Sequence, residues 1–202
     1  MEPEQTNPYK LAMTYGLYLG GITIFISIIV WATALMEKLG LWGSMGMGFI
    51  NLFVLIFLLL YFTKLYRDDH LNGKITFGNA FVFGVLIVLF SSIVSALYNY
   101  IFTKYIDPEY AQRIITMLQD KTYQWMSSRG LSQTQIDDAM TKFDKQEIPT
   151  PIDSLISSLK FGLFGGTIMS LISSAIVKKN PHKDDAFEEA MEDVKTNETS
   201  QE

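Results

Sequence analysis

The chain has 202 residues, of which 49% are hydrophobic and only 18% charged, and its formal net charge is −5. Soluble domains usually carry about 25% charged residues, so a water-soluble protein is disfavoured. The absence of cysteine excludes disulfides, thiolate metal sites and a catalytic thiol. The acidic balance argues against nucleic acid as a partner, because phosphate binding needs a basic face.

Long apolar stretches predict four membrane-spanning helices. A helix rises about 1.5 Å per residue, so roughly 20 residues cross a hydrocarbon core of about 30 Å. The predicted spans cover residues 11–36, 46–63, 76–103 and 151–177. Ala32-Thr33-Ala34 has the form of a signal-peptide cleavage site. The apolar stretch is too long and its acidic head unsuitable, so we expect a span rather than a cleaved peptide.

The connecting segments differ in length and charge. They are predicted as a cytoplasmic N-terminus (1–10), a short outer loop (37–45), a cytoplasmic turn (64–75), an outer helical loop (104–150) and an acidic cytoplasmic tail (178–202). The outer loop is polar, with helices predicted at about 108–128 and 133–144. Asp107-Pro108 favours the first helix start, and the Ser132-x-x-Gln135 capping box favours the second.

The distribution of basic residues predicts the orientation. The turn at 64–75 holds Lys64, Arg67 and Lys74, whereas the short loop at 37–45 holds only Lys38. Basic residues close to span ends favour the cytoplasmic side. We therefore expect both termini to lie in the cytoplasm of a multi-pass protein.

Lys160 is the one basic residue inside a predicted span. Its long stem would let the ammonium group reach the headgroups, and this interpretation is preferred. The alternative is a functional charge within the membrane.

Small residues recur at four-residue spacing in three of the spans. Such residues let helix backbones approach closely, so they predict a packing face within the bundle or in a dimer. The alternative is that the serines line a polar path. The residues are Gly16, Gly20, Ser91, Ser95, Gly162, Gly166, Ser170 and Ser174.

No pattern in the sequence predicts a catalytic, cofactor or metal site. Asp68, Asp69 and His70 are adjacent, but neighbouring helical residues do not face one ligand. Nucleotide-binding loops, a nucleophile elbow and the metalloprotease motif are absent from the sequence. We therefore expect no cofactor and no enzymatic activity.

The turn between the second and third spans carries a longer motif than orientation requires. It reads Tyr66-Arg67-Asp68, then Gly73-Lys74-Ile75-Thr76-Phe77-Gly78, then Ala80-Phe81. This pattern resembles the central signature of the domain of unknown function 4199 family, small bacterial multi-pass membrane proteins. The resemblance runs from about Tyr9 to Lys179. It implies the bacterial cytoplasmic membrane and supplies no activity. The motif residues Tyr66, Arg67, Asp68, Gly73, Phe77 and Gly78 predict a specifically folded turn, and a candidate contact surface.

The expected fold is an all-α integral membrane four-helix bundle with an extracytoplasmic helical hairpin between its third and fourth spans. The preferred function is a non-enzymatic accessory or scaffold subunit that works through helix–helix association. Its expected partners are the lipid bilayer and either a second copy or another membrane protein. The second hypothesis is a small oligomeric transporter or channel, and the third is an enzyme acting on a lipid-linked substrate.

Overall fold

A computed structural model describes residues 7–145 and 147–179, without the side chains of residues 40–42 and 44. Within these ranges the only extended pairing is an isolated bridge between Ile75 and Lys179. The helices are α1 (Pro8–Ala32), α2 (Leu35–His70), α3 (Phe77–Ile101), α4 (Tyr110–Ser128), α5 (Gln133–Asp144) and α6 (Pro151–Val177), with a π-helical turn, Phe102–Ile106, directly after α3.

In the part of the chain that the structure describes, four helical segments are long and apolar enough to cross a membrane. They are Pro8–Ala32, Met45–His70, Phe77–Ile106 and Pro151–Val177. The predicted all-α membrane bundle is thereby confirmed. Helices α4 and α5 contact each other and form a hairpin between the last two of these segments.

Helix α3 is the central element of the bundle. It packs most extensively against α6 and next against α1, while α2 contacts both α6 and α1. The main core combines aromatic and branched side chains from α1, α2 and α3. In it the Tyr15 ring stacks on Phe62 at 4.9 Å, and Leu19, Leu59 and Ile87 are fully buried.

The connection between α1 and α2 is shorter than the sequence indicates. The predicted loop at 37–45 is helical, and α1 ends at Ala32 rather than at residue 36. The reversal occurs at Thr33 and Ala34, where Ala34 has a φ of 49°. Glycines at 43, 46 and 48 suggested a loop, but each costs a helix only about 1 kcal/mol, and here the helix continues through them.

Three other predicted boundaries shift as well. Helix α1 begins at Pro8, because Asn7 caps it by accepting a hydrogen bond from the Tyr9 N–H at 2.9 Å. Helix α2 continues to His70, so most of the predicted turn at 64–75 is helical. Helix α4 begins at Tyr110 rather than at residue 108, and the Asp107 carboxylate binds other side chains instead of capping it.

The predicted capping box at the start of α5 is found in the structure, and α6 begins with a second one. Gly130 has a φ of 69° just after α4. The Ser132 N–H donates to Gln135 at 3.1 Å, and the Thr150 N–H donates to Asp153 at 3.0 Å, as capping boxes require. The N-terminal segment 1–6 and the acidic tail beyond Lys179 lie outside the described residues.

The glycines of α1 lie against α3. A Cβ atom added at Gly16 would lie 2.6 Å from the Phe90 Cβ and 2.8 Å from the Ile87 carbonyl oxygen. At Gly20 it would lie 3.1 Å from the Val94 Cβ. Ser91 is buried at the same interface. Helices α1 and α3 therefore approach closely because these positions lack side chains.

The small residues of α6 lie against the opposite side of α3. A Cβ at Gly162 would lie 2.5 Å from the Ser92 Oγ, and one at Gly166 would clash with Val88. Ser170 is buried and donates to the Phe81 carbonyl at 3.1 Å. Ser174 is buried too and donates to the Ser170 carbonyl at 2.6 Å. These small residues pack within one chain, as does Gly16.

Gly16→Ala is expected to destabilise the bundle by about 1–3 kcal/mol relative to Gly21→Ala, because overpacking forces backbone shifts. A Cβ at Gly21 meets nothing within 4 Å, and both variants gain the same helix propensity. The free energy of unfolding in detergent micelles, followed by circular dichroism, measures the difference. Equal stability of the two variants would contradict the close α1–α3 contact.

Candidate functional site

The motif residues meet at one end of the bundle, where α2 ends, α3 begins and α6 ends; we call this the motif end. Tyr66, in the last turns of α2, stacks its ring on Phe83 of α3 at 3.9 Å with an interplanar angle of 17°. Both rings belong to or pack against the main core. Tyr66 therefore joins two helices.

Arg67 joins the same end to α6. Its Nη1 donates to the Val177 carbonyl at 3.0 Å, and its Nε donates to the Asp68 carboxylate at 2.7 Å. The last carbonyls of a helix have no partner within the helix and carry its negative dipole end. The Arg67 side chain is only 17% exposed, and its guanidinium group supplies both the donor and the opposite charge.

The turn after α2 completes the contact. Gly73, with a φ of 77°, donates its N–H to the Arg67 carbonyl at 3.0 Å. Ile75 and Lys179 then exchange two backbone hydrogen bonds, of 3.0 and 2.9 Å. Ile75 is only 1% exposed and packs with Ala80 and Val177. The end of α6 is thus held by both backbone and side-chain contacts.

The remaining motif residues lie on the surface. Phe77 is exposed and stacks loosely on Phe81, with ring centroids 6.3 Å apart. Gly78 faces open space, and the neighbouring Thr76 caps α3 by accepting from the Asn79 N–H at 3.3 Å. Asp68 is exposed beside Arg67. The motif therefore has a structural half and an exposed half.

The opposite end of the bundle, the hairpin end, contains a second polar cluster that sequence reasoning missed. Asp107 receives a hydrogen bond from the Trp31 Nε1 at 2.8 Å and two from Arg113, at 3.0 and 2.6 Å. Arg113 also approaches Glu37 at 3.5 Å. No local pattern pairs these residues, because Trp31 and Asp107 are 76 positions apart.

Aromatic rings surround this cluster, and its charges perturb one another. Phe102 makes T-shaped contacts with the rings of Trp31 and Tyr110, at centroid distances of 5.8 and 5.4 Å. Hydrogen bonding from Arg113 is the main cause that lowers the pKa of Asp107 from 3.8 to about 2. The carboxylate therefore stays ionised at neutral pH. The cluster attaches α4 to α1 and to the start of α2.

Among the shallow cavities of the described residues, two lie beside the bundle helices. One, of about 430 Å³, lies between the start of α2 and α4 and is lined by polar residues that include Glu37, Asp120 and Lys121. The other, of about 480 Å³, is an apolar groove between α1 and α2 that includes Gly21 and Tyr61. Neither encloses a site, so each is open to solvent or to lipid.

The acidic residues beside His70 do not converge on a metal ion. Across the described residues no three His, Asp or Glu side chains lie close enough to hold one. His182 lies outside those residues. Asp68 instead pairs with Arg67 at 2.7 Å.

Lys160 is exposed on α6. It lies 17 residues before Val177, which corresponds to about 26 Å along the helix axis. In a core of about 30 Å this position is near the hairpin-side headgroups. Snorkelling stays the preferred prediction.

The cluster around Asp107 predicts an acid-sensitive contribution to stability. The folded-state pKa, about 2, lies below the ordinary value of 3.8. The ionised carboxylate therefore stabilises the fold above about pH 4, and this stabilisation is lost as the pH falls towards 2. We expect wild type to exceed Asp107→Asn in stability at pH 6, and the difference to shrink by pH 2. Unfolding curves across this range measure it.

Asp138→Asn, which removes an exposed carboxylate of α5, is the control and should show no such difference. A gap between wild type and Asp107→Asn that stays constant with pH would contradict the ionised cluster.

Comparison with known proteins identifies a family. No curated protein and no solved structure matches the chain significantly. The family described as "Protein of unknown function (DUF4199)" matches residues 14–179, which include all four candidate spans in whole or in large part. The match covers the motif at the end of α2 and both polar clusters described above. The chain therefore belongs to the DUF4199 family of proteins of unknown function.

Proposed function

We propose that this protein is a non-enzymatic accessory or scaffold subunit of the bacterial cytoplasmic membrane. In this proposal the motif end and both termini face the cytoplasm, and the α4–α5 hairpin lies outside. The hairpin is the surface on which a partner membrane protein, or a second copy, would associate. The observation that carries the proposal is the fixed attachment of this hairpin to the bundle.

The attachment is polar and directional. Arg113 of α4 binds Asp107 through two hydrogen bonds, and the same carboxylate accepts from Trp31 at the end of α1. Paired donors from one guanidinium group orient the carboxylate as well as bind it. Helix α4 also contacts α2 directly. These contacts support a hairpin whose orientation is fixed relative to the spanning helices.

The two helices of the hairpin also pack on each other. Met126 and Ile136 are buried, and the Gln119 side chain donates to Asp144 at 3.1 Å. Tyr123 and Trp125, by contrast, are 46% and 40% exposed in a segment outside the candidate spans. Tyr and Trp are enriched at protein interfaces, where they contribute large apolar area at low entropic cost. They are the first residues expected to contact a partner.

The serines of the bundle favour packing over conduction. Ser170 and Ser174 are fully buried, and their hydroxyls donate to backbone carbonyls of α3 and α6. Ser91 is buried against α1. A channel would therefore have to form between copies, away from these residues. This weakens the transporter hypothesis, and the third hypothesis has no site that supports it in the described residues.

Cysteine labelling tests the orientation. The native chain has no cysteine, so Asp69→Cys at the motif end and Asp138→Cys on α5 each introduce a single exposed thiol. With a membrane-impermeant maleimide we expect Asp138→Cys to react in intact spheroplasts. Asp69→Cys should react only after the membrane is opened. The reverse pattern would invert the proposed topology.

Co-purification from native membranes tests the scaffold role. The full chain should retain a partner, or a second copy, that Tyr123→Ser/Trp125→Ser loses at least tenfold while its melting temperature is unchanged. Gln112→Ser/Gln124→Ser changes two exposed polar positions of the same helix and should retain the partner.

Partner retention by the folded aromatic variant would refute the hairpin as the association surface. Solute flux through vesicles that contain only this protein would favour the transporter hypothesis instead.

A further inference from the structure

The motif end carries several basic side chains, but the contacts described above use only Arg67. Arg67 is occupied by Asp68 and by the Val177 carbonyl. Lys64 is exposed one helical turn before Asp68 on α2, and Lys179 is exposed two residues after Val177, whose carbonyl binds Arg67. They therefore flank the Arg67–Asp68 pair, one from α2 and one from the residue that pairs with Ile75.

The charges of this group do not balance. Among the described residues of this group, Lys64, Arg67 and Lys179 carry three positive charges, against the Asp68 carboxylate that Arg67 binds at 2.7 Å and the adjacent carboxylate of Asp69. The ammonium groups of Lys64 and Lys179 thus come from different segments at the same end of the bundle, where positive charge is in excess. Such a pair attracts an anion, and the phosphodiester of a lipid is the anion that a membrane supplies at this depth.

An apolar track leads from the same point into the membrane. Phe57 lies seven residues, or about two helical turns, before Lys64, and Phe53 lies one turn further, so the three residues share one face of α2. Phe53 and Phe57 are 71% and 67% exposed. Lysine stems bury along apolar surface while the ammonium group stays at the interface. One face of α2 therefore carries the Lys64 ammonium group at the motif end and two exposed aromatic rings, Phe57 and Phe53, towards the middle of the span.

We propose that the motif end binds an anionic phospholipid, with its phosphate between Lys64 and Lys179 and an acyl chain along Phe57 and Phe53. Charge complementarity selects a lipid of net negative charge over a zwitterionic one, whose amine would meet the same lysines. The site depends on membrane insertion and not on a partner, so it holds whichever side of the membrane the motif end faces.

The test uses full-length protein in detergent micelles, titrated with phosphatidylglycerol or phosphatidylcholine and followed by native mass spectrometry. We expect phosphatidylglycerol to bind and phosphatidylcholine to bind at least tenfold more weakly. Each lysine near an anionic surface contributes a factor of about 5 in affinity, so Lys64→Gln/Lys179→Gln should bind about 25-fold more weakly. Lys64→Arg/Lys179→Arg should restore binding.

Lys142→Gln/Lys145→Gln is the matched control, because it removes the same charge from exposed positions of the hairpin. It should change affinity less than twofold. An equal loss in this control, or equal binding of both lipids, would overturn the proposal. Full displacement of the lipid by millimolar inorganic phosphate would show a site for free phosphate rather than for lipid. If the double variant does not fold, the single variant Lys64→Gln is tested instead. We expect it to bind phosphatidylglycerol about fivefold more weakly, and an unchanged affinity would overturn the proposal.

Discussion

The close approach of α3 to its neighbours is the constraint on which the rest of the structure depends. Lipid tails are as apolar as leucine, so helices in a membrane associate through close packing and hydrogen bonds rather than through the hydrophobic effect. Gly16 of α1 and Gly166 of α6 admit side chains of α3 where a Cβ would clash. Ser170 adds a hydrogen bond from α6 to the α3 backbone. Helix α3 can lie at the centre because α1 and α6 both have small residues where they contact it.

The two ends of the bundle are held by charged hydrogen bonds, whereas its middle is held by close packing. At the motif end Arg67 satisfies a carbonyl at the end of α6, and at the hairpin end Asp107 receives donors from α1 and α4. These charge-assisted bonds are strong and directional, so they orient elements that packing alone would leave free to rotate. Each end also keeps exposed residues: the lysines at one, and Tyr123 and Trp125 at the other. The same bonds that hold the ends thus position the surfaces from which we infer lipid binding and partner association.

Much of the fold could be predicted because it follows from local chemistry. The capping box at Ser132 and Gln135 depends on neighbours within a few positions, and it is found as predicted. The prediction of a loop at 37–45 was wrong, because glycine weakens a helix without ending it and α2 continues through that segment. The predicted start of α4 was wrong, because Asp107, which is an ordinary capping residue by sequence, accepts hydrogen bonds from Trp31 and Arg113 instead.

By itself, the sequence determined the membrane class, the four spans, the hairpin between the third and fourth, and the family motif. Span length, the absence of charge and capping chemistry are properties of contiguous residues, and they can be recognised without knowledge of the fold. Only the tertiary structure decided what the small residues and the motif contact. Gly16 and Gly162 proved to pack on opposite sides of α3 within one chain, and Arg67 proved to bind Val177, 110 positions away. These pairings depend on how each helix is rotated and staggered against its neighbours, and that geometry is set by the packing of all the helices together.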